Sequence, residues 1–385
     1  MSKTARQVDS SESPAASTDG TPPSGRLLSL DVLRGFDMFW ILGAEAIVHD
    51  LAKVHQGPVV QMLDRQMEHK PWEGFAFYDL IFPLFVFIAG VSLVFSLSKL
   101  LATEGRGAAV KRIVLRAAVL YLLGVLYYGG FSKHFADVRL LGVLQRIALC
   151  YLAAGLLFCY LRLNGLVAVL VGLLVGYWSL MTYVPVPGVG AGSFVEGKNL
   201  ANYVDARYLP GRKWDGDHDP EGLLSTLPAV ASCLLGVLAG LLLKNNKLGP
   251  YEKALSLLLA GAVGVGLGFA WGMEFPVIKK LWTSSFVLVA GGYSAMLLGA
   301  FYLVLDVWQV RVWAGPMVWI GMNPITLYLL DGIVNYRDLA ERCLGGDLGQ
   351  LVFGRVGPLA VSTLAVLLML AIARFLYVRQ IFLRV

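Results

Sequence analysis

Charge is what this sequence has least of. Only 15% of its 385 residues are Asp, Glu, Lys or Arg and 57% are hydrophobic, whereas soluble domains are about a quarter charged and just under half apolar. That composition excludes a soluble globular protein, and a net charge of +6 spread through so apolar a chain gives no reason to expect a nucleic-acid partner. Cysteine is scarce too. Cys150, Cys159 and Cys233 fall inside apolar runs and Cys343 stands alone in an outer loop, which excludes a disulfide framework or a zinc-type spacing, and no metal is expected. There is no internal repeat, nor the matched pair of broken spans that marks the inverted halves of many transporters. Residues 1–25, "MSKTARQVDSSESPAASTDGTPPSG", lack the apolar core of a signal peptide and read as a disordered cytoplasmic tail.

What the chain does have is long apolar runs. A bilayer crossing takes about 20 such residues, and runs of that kind lie near 32–52, 76–98, 113–130, 139–161, 165–183, 222–243, 254–271, 283–305, 312–334 and 357–378. The expected fold is an all-α integral membrane protein, a polytopic bundle of about ten transmembrane helices over 26–385 with no separate soluble domain. Lys99, Arg106, Lys111, Arg112 and Arg116 cluster between the second and third runs, Lys244, Lys247 and Lys253 between the sixth and seventh, and Arg374, Arg379 and Arg384 at the end. Basic residues gather on the cytoplasmic side. Both termini are then expected inside, and all five histidines (His49, His55, His69, His134, His218) at or beyond the outer face.

Ionisable groups within a span are costly unless paired or facing a cavity, so each is a candidate for function. Asp31, Arg34, Asp37 and Glu45 lie in or beside the first run, Asp79 in the second, Arg116 in the third, Gln145 and Arg146 in the fourth and Asn323 in the ninth. Asp31 and Arg34 can pair at spacing i,i+3. Pro83 removes the donor for the carbonyl of Asp79, and Pro324 does the same for Ile320 beside Asn323. Arg112 and Arg116, four apart in "KRIVLR", present two guanidinium groups on one helix face, which suits phosphates as well as plain cytoplasmic anchoring. The glycines of "GAVGVGLGFAWG" (261–272) follow no strand and precede no Lys-Ser/Thr, so they read as close helix packing and not as a nucleotide loop. A loop histidine is usually a solvated residue. His69 differs in being followed by a Pro-Trp-Glu-Gly turn at the mouth of the run that carries Asp79.

Several separated stretches together resemble the heparan-α-glucosaminide N-acetyltransferase family in a bacterial form: "LLSLDVLRGFDMFWILGAE", "HKPWEGFAFYDLIFPLFVFIAG", "VRLLGVLQRIALCY", "DPEGLLSTLPA", "PVIKKLWTSSFVL" and "GMNPITLY". The resemblance implies transfer of the acetyl group of cytosolic acetyl-CoA across a membrane to the amine of a glucosamine-type sugar on the far side. It implies that His69 is the active-site histidine. The wider transmembrane acyltransferase superfamily holds the coenzyme with an Arg-x-x-x-Arg pair at the start of its third span, which Arg112 and Arg116 resemble.

On this reading acetyl-CoA is the cosubstrate, and Arg112 and Arg116 hold its phosphates. His69 takes the proton of the amine in direct transfer, and an acetyl-imidazole intermediate on His69 is the competing chemistry. Glu45 or Asp79 orients His69 or binds the substrate ammonium, and Gln145, Arg146 and Asn323 are further donor-side residues, with Arg146 or Asn323 facing the thioester oxygen. The implied location is a bacterial cytoplasmic (inner) membrane, with the active site toward the outer face and an amino-sugar or glycan acceptor. A homodimer stays open. The rival classes are a secondary transporter of sugars or amino sugars, which also accounts for the intramembrane charges, and a membrane assembly factor without chemistry.

Overall fold

The protein is described by a computed structural model that covers residues 27–132, 134–345 and 352–383; the tail at 1–25 and Arg384 lie outside the described residues. Among those residues it is helical throughout, with extended backbone pairing limited to isolated bridges. The helices are α1 (Leu28–Phe39), α2 (Glu45–Val54), α3 (Pro58–Gln66), α4 (Phe77–Thr103), α5 (Gly105–Tyr127), α6 (Val143–Tyr160), α7 (Leu163–Tyr183), α8 (Leu200–Tyr208), α9 (Thr226–Lys244), α10 (Pro250–Trp271), α11 (Ser284–Tyr302), α12 (Ala314–Gly321), α13 (Pro324–Val334), α14 (Tyr336–Leu344) and α15 (Gly357–Val378).

Every one of the ten expected spans coincides with helix, yet among the described residues seven helices are long and apolar enough to cross a membrane, or eight if the bent pair α12–α13 is one span. The count of ten is therefore not established. The first expected span is interrupted, because Leu42 and Gly43 leave helical geometry between α1 and α2. The third, α5, carries Arg106, Lys111, Arg112 and Arg116 in its first half, and these lower its apolarity. The break foreseen at Asn323–Pro324 is present as a 79° bend. There the Ile320 carbonyl, which Pro324 cannot serve, accepts the N–H of Asn323 at 2.9 Å. Pro83 has no such effect, since α4 runs through it from Phe77 to Thr103.

Two apolar clusters hold the bundle. The larger joins α4, α5, α6, α7, α9, α10 and α11, and the smaller joins α1 to α12–α15. The glycine-rich run behaves as expected: a Cβ on Gly261 would run into the backbone of Gly292, and one on Gly292 into Gly261, so α10 and α11 approach through small residues.

Because the long helices alternate in direction, the starts of α4, α6, α9 and α11 and the ends of α5, α7 and α10 share one end of the bundle. There the turn at 69–74, α8 and the loops 209–225 and 272–283 form a cap, packed around Trp72, Phe194, Leu200, Phe275 and Ile278. Trp72 Nε1 donates to the carbonyl of Phe194 at 2.9 Å.

Candidate active site

The cap loops meet at His69. Gly74 has φ +118°, a left-handed value open mainly to glycine, and the turn it closes pairs with the 272–283 loop. Gly74 N donates to the Val277 carbonyl at 2.9 Å, and Glu73 bridges Ile278. That pairing carries Lys279 to the ring of His69: Lys279 Nζ lies 3.0 Å from Nδ1 and 3.3 Å from Nε2. The loop itself is pinned by Thr283, whose hydroxyl accepts Ile278 N–H at 3.1 Å and donates to the Pro276 carbonyl at 2.8 Å.

Asp79 is the third member. It is fully buried, its Oδ1 is 2.9 Å from His69 Nδ1 and 3.5 Å from Lys279 Nζ, and its Oδ2 accepts from the backbone of Lys70 and Ala76 at 3.2 and 3.1 Å. The carboxylate thus belongs to the first turn of α4, where a negative charge is favoured by the exposed N–H groups. This is why a carboxylate can open an apolar helix: backbone donors and a lysine satisfy it, with no help from Pro83. A carboxylate only accepts, so Nδ1 of His69 carries its proton toward Asp79 and Nε2 keeps the lone pair.

Two adjoining cavities share His69, Val143, Glu221, Lys279 and Tyr328. One, of about 280 Å³, reaches down between the helices past Met38, Ile41, Ile81, Phe82, Phe85, Leu144, Ile147 and Ile325 and is mainly apolar. The other, of about 490 Å³, opens among Lys70, Tyr127, Tyr128, Arg139, Trp214, Lys280 and Trp282, and is mixed aromatic and charged.

The loop 209–225 supplies the acidic side. Arg139 makes a bidentate pair with Asp219 (2.8 and 2.6 Å), bonds Glu221, and donates to the Tyr128 hydroxyl at 3.0 Å between the rings of Tyr128 and Trp214. Burial pushes the Glu221 carboxyl up against the pull of Arg146 and Arg139. Burial likewise pushes the Lys279 ammonium down, with Asp79 and Glu221 acting against it. Below Glu221, Asp205 of α8 accepts the N–H of Leu223 at 2.8 Å, and burial raises its carboxyl to about 6.

Of the residues singled out in the sequence, His69 and Asp79 are in contact. Glu45 stands one residue removed, within electrostatic reach of Tyr78, whose ring packs 4.6 Å from that of His69. Gln145, Arg146 and Asn323 are buried and line neither cavity. Gln145 donates to the Arg139 carbonyl at 3.3 Å, and Arg146 bonds Ser225 and the Gly222 carbonyl and lies 4.9 Å over Trp282. Both therefore brace the walls of the polar cavity. Asn323 finds no hydrogen-bond partner for its side chain among the described residues. Arg112 is exposed, and Arg116, 4.7 Å over the ring of Tyr151, is half-buried. Arg116 lies eleven residues before Tyr127 on α5, roughly 16 Å along the helix from the polar cavity. Asp31 and Arg34 pair at 3.5 Å as their spacing suggests.

Lys279, Glu221, Arg139 and Asp219 were not foreseen as site residues. Lys279, Glu221 and Asp219 sit between apolar runs, where a charge is ordinary, and Arg139 stands at the very start of the fourth run. The one available signal was that they fall in "VRLLG", "DPEG" and "PVIKK", within stretches that carry the resemblance. Two further groups bring His and carboxylate atoms together, His49 with Asp64 and Glu68, and Glu196 with Asp215 and His218. In the second, Lys280 already bridges Glu196 (2.8 Å) and Asp215 (3.0 Å).

Residues 26–203 match the family model described as heparan-alpha-glucosaminide N-acetyltransferase, catalytic. The chain is 28% identical over 323 residues to the heparan-alpha-glucosaminide N-acetyltransferase of Homo sapiens, an alignment covering 68% of this chain and 48% of that one. It is 28% identical over 325 residues to the protein of the same name from Mus musculus, with the same coverage. The chain spans about half the length of the curated relatives it matches. His69, Asp79, Arg112 and Arg116 lie within the part that the family model matches; Glu221 and Lys279 lie beyond it.

Proposed function

From its similarity to the heparan-α-glucosaminide N-acetyltransferases we propose that the chain is a transmembrane acetyltransferase that passes the acetyl group of cytosolic acetyl-CoA to the amine of a glucosamine-type sugar at the His69 end. The observation that carries this reading is the meeting of an apolar and a polar cavity at His69 and Lys279. An acyl-pantetheine arm is slender and largely apolar, and a sugar is polar with faces that pack on aromatic rings. The two cavities divide along the same line.

In this mechanism Arg112 and Arg116 hold the coenzyme phosphates farther back along α5, roughly 16 Å or more from the polar cavity, as charge-assisted contacts suited to that group. The apolar cavity holds the acetyl thioester with its carbonyl at the junction. The sugar lies among Tyr127, Tyr128, Trp214 and Trp282, and Glu221 faces its ammonium. An amine attacks only when deprotonated, and imidazole is the side chain whose proton affinity suits that task near neutral pH. His69 Nε2 takes the proton, while Asp79 holds the ring through Nδ1 and stabilises the imidazolium that forms. Glu45 acts at one remove, through Tyr78. The enzyme sits in a bacterial cytoplasmic membrane with both termini inside and His69 toward the outside.

The 79° bend at α12–α13 is the feature that favours the rival transporter reading, since broken helices often frame transported substrates. Purified protein supplied with acetyl-CoA and a panel of amino sugars decides between them by mass spectrometry. Acetylated sugar with release of free coenzyme thiol is expected, and amino-sugar uptake into proteoliposomes without acetylation would replace the enzyme with a carrier.

A further inference from the structure

We propose that Lys279 is a catalytic residue of this transfer, its ammonium meeting the thioester carbonyl oxygen and holding the negative charge that develops there. The inference rests on the acetyltransferase reading above, and names the residue that supplies the electrophilic half of its chemistry.

Position is the first argument. Of the described residues lining the apolar cavity, His69 and Lys279 are the ones able to carry positive charge, and both also line the polar cavity. A carbonyl brought to the junction by an arm in the apolar cavity therefore meets Lys279 beside the base. Arg146 and Asn323, the other donors suggested by the sequence, line neither cavity, and Arg146 already bonds Ser225 and the Gly222 carbonyl.

Preorganisation is the second. Oxyanion stabilisation works through donors fixed before the reaction, and Lys279 is fixed twice. Its backbone follows the segment paired with Glu73 and Gly74, and its Nζ is held by Asp79 at 3.5 Å. An ammonium has three N–H donors. Asp79 takes one and the protonated Nδ1 of His69 takes none, so donors remain for a ligand.

The chemistry then balances without another reactant. Once His69 has passed the ammonium's proton to solvent, the free sugar amine bonds to the carbonyl carbon as the C=O electron pair moves onto oxygen beside Lys279, and the nitrogen's second proton passes to His69 Nε2. The oxygen pair returns, the C–S bond breaks, and the coenzyme leaves as a thiolate that receives the proton from the imidazolium. Lys279 neither gains nor loses a proton.

The test uses the full chain in detergent, with Lys279→Met as the neutral variant, Lys279→Arg as the conservative one, and two inert coenzyme analogues: a ketone with CH2 in place of sulfur, and an S-ethyl thioether with no carbonyl. Loss of one oxyanion donor typically lowers kcat by about 100- to 1,000-fold. That loss is expected for Lys279→Met with KM for acetyl-CoA little moved, and Lys279→Arg should recover part of it. The ketone should bind Lys279→Met more weakly than it binds the wild type, and the thioether should bind both alike, a distinction that a merely structural lysine would not make. Near-normal kcat in Lys279→Met, or equal weakening of both analogues, overturns the proposal. If Lys279→Met does not fold, Lys279→Leu, which also lacks a donor, gives the same comparison. Failure of the wild type to acetylate any amine from acetyl-CoA overturns the underlying enzyme reading instead, and a failed ketone–thioether distinction alongside normal wild-type transfer overturns only the role of Lys279.

Discussion

His69 Nδ1 and Asp79 Oδ1 lie 2.9 Å apart, joining an imidazole that is half exposed to a carboxylate with no exposure at all. The carboxylate is held from behind by two backbone N–H groups. One ring nitrogen is thereby committed, and the other is left to face the junction of the two cavities.

Replacing His69 by Ala is expected to lower acetyl transfer by about 100- to 10,000-fold, the usual worth of general-base help, while the protein still folds and binds acetyl-CoA. Asp79→Asn should also lower kcat, because an amide in that place can donate to Nδ1 and favour the wrong tautomer. Single-turnover rates with size-exclusion profiles as the folding control check both. Near-normal transfer in His69→Ala would leave the histidine a surface residue.

Arg116→Ala should raise KM for acetyl-CoA with little change in kcat, since a phosphate contact far from the reacting carbonyl contributes equally before and during the reaction. Steady-state kinetics over a range of acetyl-CoA decide this. A fall in kcat at unchanged KM would remove Arg116 from the coenzyme site.

Stability should carry a signature of Asp205. Its carboxyl sits at about 6 in the folded protein against 3.8 for the free group, so folding takes up a proton between those values. The stabilisation is complete below about pH 4 and lost as pH rises through about 6. Asp205→Asn mimics the protonated acid and keeps an acceptor for Leu223 N–H. Between pH 5 and 7.5 the melting temperature of the wild type should therefore fall relative to the variant's. Parallel melting curves across that range would show that Asp205 does not titrate there.

Sidedness is open to direct test. On a background lacking the four native cysteines, a cysteine at position 70 should react with an impermeant maleimide from outside the cell, and one at position 112 only after the membrane is opened. The reverse pattern would invert the proposed orientation.

Helix and membrane were legible without tertiary structure because hydropathy acts locally: an apolar run near twenty residues long has few other fates, and every one of the ten runs is helical. The Asn323–Pro324 bend was legible for a similar reason, since a missing N–H is a property of one residue. Pro83 shows where that reasoning stops, because it lies early in α4 and the helix runs on through it. The span count needed the structure, as α5 is helical whether or not its four basic residues lie in lipid.

The site was readable only where its parts are neighbours in sequence. His69 and Asp79 are ten residues apart and joined by one turn, so their pairing could be suspected from the chain alone. Lys279 is 210 residues from His69, and Glu221 reaches the same cavity through Arg139, 82 residues before it. Nothing local distinguishes a loop lysine that will stay in water from one that a backbone bridge to Glu73 carries against a buried carboxylate. The amino-acid order decided which segments become apolar helices and where a polar group would be costly. Which of those polar groups end at the junction of the two cavities, and which, like Gln145 and Arg146, brace its walls, was decided by the packing of α4, α6, α9 and α11 and by the loops that close over their ends.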